Sequence, residues 1–347
     1  VGSSGFLSLV RGFVIPALLS IVDYGIYKSF GLYSSFAGLT HLGMVDGIYI
    51  EYGGRDFSKI DKKDLSSQLC FMLIVQVVFV LPILLFGMFA EDFLFYVFLS
   101  ASFLGGNLVA FFSYLAQATS QFKIFSYYHL LGSFVSLLCT LAALIFRVSW
   151  FYYFIALDVL IKYIEFAILF RKLNFRASVG LATIFSKRNW LIAWKGFIIY
   201  FGNFSSVLFY SMDRWFVKIL LRTEDFAFYS FATSMMGMVM ILVSSVAMTF
   251  YPMLARRQEE EGLLRSLKSY LMIIGSFAGA AYFGFDLIVN WILRDYLSSL
   301  EVIAILFAGF PAIAVINAIY VNMYKAQKTE KKYFFTVFGM VAVSFGL

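Results

Sequence analysis

Charged residues are scarce: Asp, Glu, Lys and Arg make up 14% of 347 positions, against about a quarter in soluble globular proteins. With 62% of the chain hydrophobic and a mean hydropathy of +0.86, too little polar surface exists to clothe a water-soluble chain of this length, and lipid is the expected solvent. Cysteine occurs twice, as Cys70 and Cys139 inside apolar runs; without C-x-x-C spacing they support neither a disulfide framework nor a zinc site, and packing is their expected role. Histidine also occurs twice, as His41 and His129. Neither stands in an H-E-x-x-H or H-x-x-E-H setting, so no metal or other cofactor is expected. The absence of G-x-x-x-x-G-K-[ST] excludes a P-loop ATPase from this stretch, so any energy input comes from elsewhere. Period-two alternation is missing as well, which excludes a membrane β-barrel. No small-residue cleavage site follows the first apolar run, and Arg11 interrupts it, so that run reads as a retained helix rather than a signal peptide.

What the sequence has in abundance is apolar runs of membrane length. They lie near 2–22, 26–50, 68–90, 93–119, 124–146, 150–170, 191–211, 227–250, 270–292 and 300–323, each about the 20 residues a spanning helix needs. An eleventh opens near 333 and reaches Leu347 in mid-span, so a chain truncated in span 11 is expected. The formal charge of +7 would suggest a nucleic-acid partner in a soluble protein; here excess cations mark cytoplasmic loops, and nucleic acid is not an expected partner. Eighteen Lys and Arg fall in the even loops and five in the odd ones, Lys28, Arg147, Lys218, Arg222 and Arg294. This bias predicts a multi-pass protein of the cytoplasmic (inner) membrane with its N-terminus in the cytoplasm. Trp150, Trp190, Trp215 and Trp291 stand near span ends, where an interfacial belt would put them. The odd loops are short, so an extracytoplasmic catalytic domain is not expected.

An internal repeat is legible. From Arg11 the chain reads R-GFVIPALLSIV-DYGIY, and from Arg214 it reads R-WFVKILLRTE-DFAFY. Each copy continues through an apolar stretch into a basic loop, EYGGRDFSKIDKK in one and YPMLARRQEEEG in the other. Six spans separate the copies, so both keep the same orientation, which predicts two parallel-repeat halves. The expected organisation is an N-terminal six-helix bundle over 1–172, a cytoplasmic linker over 173–190 and an incomplete C-terminal bundle over 191–347.

At R-GFVIPALLSIVDYGIY, LGMVDGIYIEYGGR, SMDRWFVKILL and the stretch from FAFYSFA to MTFYPMLARR, the chain resembles the Wzx-type oligosaccharide flippases of polysaccharide biosynthesis, in the MOP (MATE-like) superfamily. The resemblance runs along essentially the whole chain, although none of these stretches is a catalytic signature. It implies an all-α polytopic fold of two six-helix bundles. It also implies a lipid-linked oligosaccharide as substrate, with a polysaccharide polymerase and chain-length machinery as further partners beside the membrane lipids.

Ionisable side chains inside spans cost several kcal/mol unless paired or hydrated, which makes them functional candidates. Arg11, Asp46, Asp158, Lys162, Glu165, Lys195, Asp213 and Arg214 qualify. Asp158, Lys162 and Glu165 stand at i, i+4 and i+7, on one helical face where the lysine could pair with both carboxylates. They read either as a proton or cation relay or as a self-neutralising structural cluster. Asp46 reads either as a cation site facing a cavity or as a helix-end carboxylate among headgroups. Arg11 and Arg214 hold matched places in the repeats and are candidate pyrophosphate ligands, since a guanidinium offers a bidentate fork and stays charged; snorkelling to headgroups is the alternative. Lys195 either snorkels or receives an anionic headgroup. Small residues, Gly31, Ser34, Ser35, Gly38, Gly43 and Gly47 in span 2 and Ser234, Gly237, Ser244 and Ser245 in span 8, predict close helix contact.

Three functions compete at this stage. The first is a flippase moving a polyprenyl-pyrophosphate-linked oligosaccharide by alternating access, driven by H+, Na+ or downstream consumption. The second is a MATE-like ion-coupled exporter of small organic cations, and the third an integral-membrane polymerase of lipid-linked sugars. The paired arginines favour the first over the second, and the short odd loops disfavour the third. A non-enzymatic carrier is the expectation.

Overall fold

The computed structural model describes residues 2–172, 180–256, 261–320, 335–336, 339–340 and 343. Among the described residues every regular element is helical and no strand occurs, as unbroken apolar runs require. The helices are α1 (Gly2–Leu18), α2 (Ile21–Ser34), α3 (Met44–Tyr52), α4 (Lys62–Gly87), α5 (Phe93–Ala118), α6 (Phe122–Ile145), α7 (Phe151–Lys172), α8 (Leu181–Ile184), α9 (Lys187–Leu220), α10 (Thr223–Arg256), α11 (Glu261–Gly279), α12 (Ala281–Trp291), α13 (Leu300–Ala308) and α14 (Phe310–Val315). Four described segments, Lys62–Gly87, Phe93–Ala118, Lys123–Ile145 and Arg265–Trp291, are long and apolar enough to cross a membrane. Large apolar side chains crowd their outer faces: Val78, Leu81, Leu85 and Phe86 on α4, and Ile273 and Phe277 on α11, are all exposed. An apolar exterior of this extent is costly in water and suits association with a membrane.

By contacts, the chain forms two compact units. The first comprises Val1–Lys28, Arg147–Ser149 and Leu208–Leu347; the second comprises Ser29–Phe146 and Trp150–Val207. Compactness is a property separate from sequence duplication, so these units do not bear on the halves expected at 1–172 and 191–347. Of the expected linker, 173–179 lies outside the described residues, whereas 180–190 is part of the second unit.

In the second unit α5 is central, packing on α3, α4, α6 and α7. Its aromatic face, Phe111 and Phe112, joins Met44, Ile48, Phe71 and Met72 in the core. Carboxylates start the helices: Asp61 Oδ1 accepts from the Lys63 amide at 2.8 Å and Asp92 Oδ1 from the Phe95 amide at 3.2 Å, satisfying amides that have no partner in the first turn. Asp92 also accepts from the Tyr152 hydroxyl, joining the starts of α5 and α7.

The apolar run 26–50 was expected as one helix, but it is broken. After Ser34 come a 3-10 turn over Ala37–His41 and left-handed residues at Leu42 (φ 48°) and Gly43 (φ 76°), and only then α3. Hydroxyls compete with the helix for backbone carbonyls here: Ser35 Oγ donates to Leu32 O and Thr40 Oγ1 to Ala37 O, each at 2.7 Å. A left-handed residue other than glycine costs about 1–2 kcal/mol, so packing must hold Leu42 in place. The fixing contact is backbone on backbone. A Cβ on Gly196 of α9 would fall 1.9 Å from Gly43 O and 2.2 Å from Gly47 N, so the small-residue stripe of span 2 does seat a helix, at Gly43 and Gly47.

In the first unit α1 and α13 pack on α10, and α14 packs on α11. Tyr24, Phe231 and Tyr296 form a buried aromatic cluster, with Tyr24 and Tyr296 edge to face at 5.5 Å between centroids. The two stretches matched as repeats meet here, since a Cβ on Gly25 would touch Thr223 O at 2.7 Å and Ala227 Cβ at 3.4 Å. Their shared aspartate stands in the first turn of a helix in both, α2 and α10. Ser20 Oγ donates to Asp23 Oδ2 at 2.7 Å and accepts from the Asp23 amide, while Asp225 Oδ2 accepts from the Arg222 amide at 3.3 Å. The first supplies the N-cap half of a capping box and the second the returning half, from the third helical residue to the cap amide.

Candidate functional site

A polar seam runs through the second unit beside the broken helix, built on α5. Ser102, fully buried, accepts from Lys162 Nζ of α7 at 2.9 Å and lies 3.2 Å from Ser34 Oγ at the end of α2. Gly105 and Gly106 follow: a Cβ on Gly105 would press on Tyr163 Cε2 at 3.0 Å, and one on Gly106 would make an ordinary contact with Lys162 Nζ at 3.9 Å. Asn107 comes next. Its amide donates to Ala37 O and Thr40 Oγ1, both at 2.9 Å, tying α5 to the turn. Beyond the turn, His41 Nδ1 accepts from the Gly43 amide at 3.1 Å, and its ring meets Tyr200 of α9 edge to face at 5.0 Å. Asp46 stands in the first turn of α3, 5% exposed, in the neighbourhood of Tyr114 and Tyr200. A helix N-terminus is the favourable end for a carboxylate.

The α7 triad is divided. Lys162 lies in the field of Asp158 and is directed at α5. Glu165, 6% exposed, instead pairs with His129 of α6, Oε1 to Nδ1, at 3.4 Å. Helical spacing did put the three residues on one side of α7, but two neighbouring helices share that side, and each draws one end of the triad.

Arg11 and Arg214 both belong to the first unit, whereas Asp46, Asp158, Lys162, Glu165 and Lys195 belong to the second. Arg11 is half-buried on α1, next to Gly12, whose Cβ position meets Met238 Cε of α10. Arg214 is half-buried on α9, following Asp213, which accepts from the Tyr229 hydroxyl of α10 at 2.6 Å. Lys195 is exposed on α9. Lys28, counted with an outer loop in the charge tally, lies inside α2; its ammonium donates to Ser234 Oγ of α10 at 2.8 Å and sits 5.2 Å from the Tyr24 ring centre.

At one end of the second unit an ion-pair network ties 180–190 to the α3–α4 connection. Arg188 bridges Asp64 and Glu51, the latter at 3.2 Å, and Arg55 reaches Glu51 at 3.5 Å. Burial works against the Arg188 charge, but the Asp64 and Glu51 carboxylates outweigh it and hold the guanidinium above its ordinary value. Asn189 Nδ2 donates to Ser67 Oγ and to Ile184 O, each at 2.9 Å, and Ser67 Oγ donates to Thr183 O. Burial also pushes the Tyr52 phenol up, while its hydroxyl donates to Gln68 Oε1 at 3.0 Å.

Sequence reasoning missed Asn107, Ser102, Lys28 and His129 as members of these clusters. Asn107 carried a signal, a lone amide after two glycines in an apolar run. His129 carried a subtler one: it lies 16 residues before the end of α6 and Glu165 lies 14 after the start of α7, matching depths in an antiparallel pair. Among the described residues no group of three or more His, Cys, Asp or Glu side chains gathers as a metal site. No protein-family model, curated protein or solved structure matches the chain.

Proposed function

We propose that the chain is an integral-membrane carrier that moves a polyprenyl-pyrophosphate-linked oligosaccharide from the cytoplasmic to the outer leaflet by alternating access of two repeat-related bundles. The observation that carries the transport reading is the broken helix at 35–43 with its buried polar seam. Irregular backbone at membrane depth persists only where protein buries it or where it lines a hydrated passage, and discontinuous helices of this kind form the ion and substrate sites of carriers. The substrate class comes from the family resemblance. Arg11 and Arg214, half-buried in apolar helices of one unit, have the charge and fork geometry that a pyrophosphate requires. Lys28 adds a third helix-borne cation to that unit. Lys195, exposed on α9, is the candidate for an anionic headgroup. Asp46, Asp158, Lys162 and Glu165 are the ion-coupling candidates, with H+ or Na+ as the driving ion. The cation bias of the loops supports a cytoplasmic N-terminus in the inner membrane.

A second reading is favoured by one observation. Asp46 and Glu165 are nearly inaccessible carboxylates at 5% and 6% exposure, which is what an ion-coupled exporter of small organic cations would use. A deletion strain separates the two. Under the flippase reading, lipid-linked repeat units accumulate on the cytoplasmic leaflet and surface polysaccharide is lost. Export should then recover in the order Arg, Lys, Ala at position 11 at equal protein level. Normal export by Arg11→Ala would remove Arg11 and move weight to the cation exporter.

A further inference from the structure

Glu165 is 6% exposed in the middle of a helix, and its Oε1 has no hydrogen bond of good geometry. Its expected neutraliser, Lys162, is directed at Ser102 of α5. The group that remains is His129 of α6, with Nδ1 3.4 Å from Oε1 and its side chain 52% exposed. The other titratable groups nearby face elsewhere: on α7 the Tyr163 hydroxyl donates to Ala101 O of α5 and Asp158 lies with Lys162. On α6 Lys123 and Tyr127 are exposed, and on α5 Tyr114 lies with Asp46. A Cβ on Gly132 would come within 4.0 Å of Glu165 Oε2, so α6 and α7 are in contact here. The pair has two states of different cost. With an imidazolium beside the carboxylate it is neutral overall; with a neutral imidazole it leaves a lone buried carboxylate, which is strongly disfavoured.

We propose that His129 and Glu165 together form a one-proton binding site, in which a single proton is shared between the His129 ring and the buried carboxylate. Each residue lies seven positions from the end of its helix, at Phe122 of α6 and Lys172 of α7, about 10 Å along the axis. Lys123, Arg171 and Lys172 cluster at that end, which the charge bias assigns to the cytoplasm. Proton binding stands on this geometry alone. Its use to drive transport rests on the carrier reading.

The chain holds two histidines, so 15N-histidine labelling of protein purified through a histidine-free tag and placed in nanodiscs gives one ring at the site and one, His41, as an internal control. In Glu165→Gln the His129 ring should lose its proton at a pH about one unit or more lower than in the wild type, a tenfold loss of proton affinity, with His41 unmoved. Equal midpoints in the two proteins overturn the site. If Glu165→Gln does not fold, infrared spectroscopy of His129→Gln at neutral pH decides the matter: a protonated-carboxyl band absent from the wild type supports the site, and its absence overturns it. Coupling is read separately in proteoliposomes, as the ratio of lipid-linked oligosaccharide transport with a pH gradient to transport without one. That ratio should fall to unity in His129→Gln. A ratio that stays at the wild-type value overturns the coupling and leaves the carrier reading intact, whereas no transport by the wild type under any gradient defeats the carrier reading and leaves the proton site to the spectroscopy.

Discussion

Gly196 gives the sharpest stability test, because the contact it makes has no side chain that could yield. A methyl group there would lie 1.9 Å from Gly43 O, 2.2 Å from Gly47 N and 2.8 Å from Gly47 Cα. Restoring the nearest of these to the 3.0 Å below which Cβ contacts essentially never fall means parting α9 from α3 by about 1 Å along a shared backbone surface. Overpacking typically costs about 1–3 kcal/mol where side chains can adjust. With only backbone to move, the upper end of that range applies, and the gain in helix propensity of about 1 kcal/mol from glycine to alanine offsets it in part. Gly31 supplies the control. It lies in α2, and a Cβ built there meets nothing within 4 Å, so Gly31→Ala should be neutral or stabilise by up to about 1 kcal/mol. Cys70 and Cys139 are free and half-buried, so a thiol-reactive fluorophore can follow thermal unfolding of the purified protein. Gly196→Ala should unfold several degrees below the wild type and Gly31→Ala at or above it. A Gly196→Ala protein as stable as the wild type would refute the close backbone contact and, with it, the account of what holds the break in place.

The same structure makes other commitments. Asn107→Ala removes the donor to Ala37 O and Thr40 Oγ1 in a site 4% exposed and should cost about 1–3 kcal/mol; Asn107→Asp, similar in shape but without the amide donor, should be no better, and a neutral effect of both would show that the break is stable without it. Asp92→Ala removes the α5 cap and the acceptor of the Tyr152 hydroxyl, so a loss of about 1–2 kcal/mol is expected by thermal unfolding. Arg188→Ala should cost no more than about 1 kcal/mol, since Arg188 is 46% exposed and surface pairs are worth little; its effect should shrink further in high salt. Cysteines placed at Lys62 and Lys187 should resist a membrane-impermeant reagent added outside intact cells, and efficient labelling of either would invert the proposed orientation.

The helical class was legible because it rests on one strong signal, apolar runs too long and too continuous for strands, and the described residues contain helices throughout. The break in span 2 was not. Its glycines and serines were read as a packing stripe, which holds for Gly43 and Gly47 against Gly196, yet Ser35 and Thr40 bond backbone carbonyls one turn back and Leu42 turns left-handed. Hydropathy sums apolar content and is blind to backbone direction, so a helix, a turn and a second helix of equal apolarity read as one span. Lys28 was misplaced for a related reason, since a charge near a run's edge reads as loop even when a serine on the neighbouring helix accepts it. For the α7 triad, spacing gave the shared face correctly. Which carboxylate the lysine would keep depended on Ser102 and His129, residues 60 and 36 positions away, and only the packing of α5, α6 and α7 brings them in.

The most direct measurement of the central claim is transport by the purified chain itself. Reconstituted into liposomes carrying a fluorescent polyprenyl-pyrophosphate-linked oligosaccharide in the inner leaflet, the wild type should move the label to the outer leaflet, where an impermeant lectin or quencher reports it. Arg11→Ala should move it more slowly than Arg11→Lys, and Arg11→Lys more slowly than the wild type. Label that stays in the inner leaflet at the protein-free rate, in liposomes where the protein is shown to be folded, would contradict the flippase account.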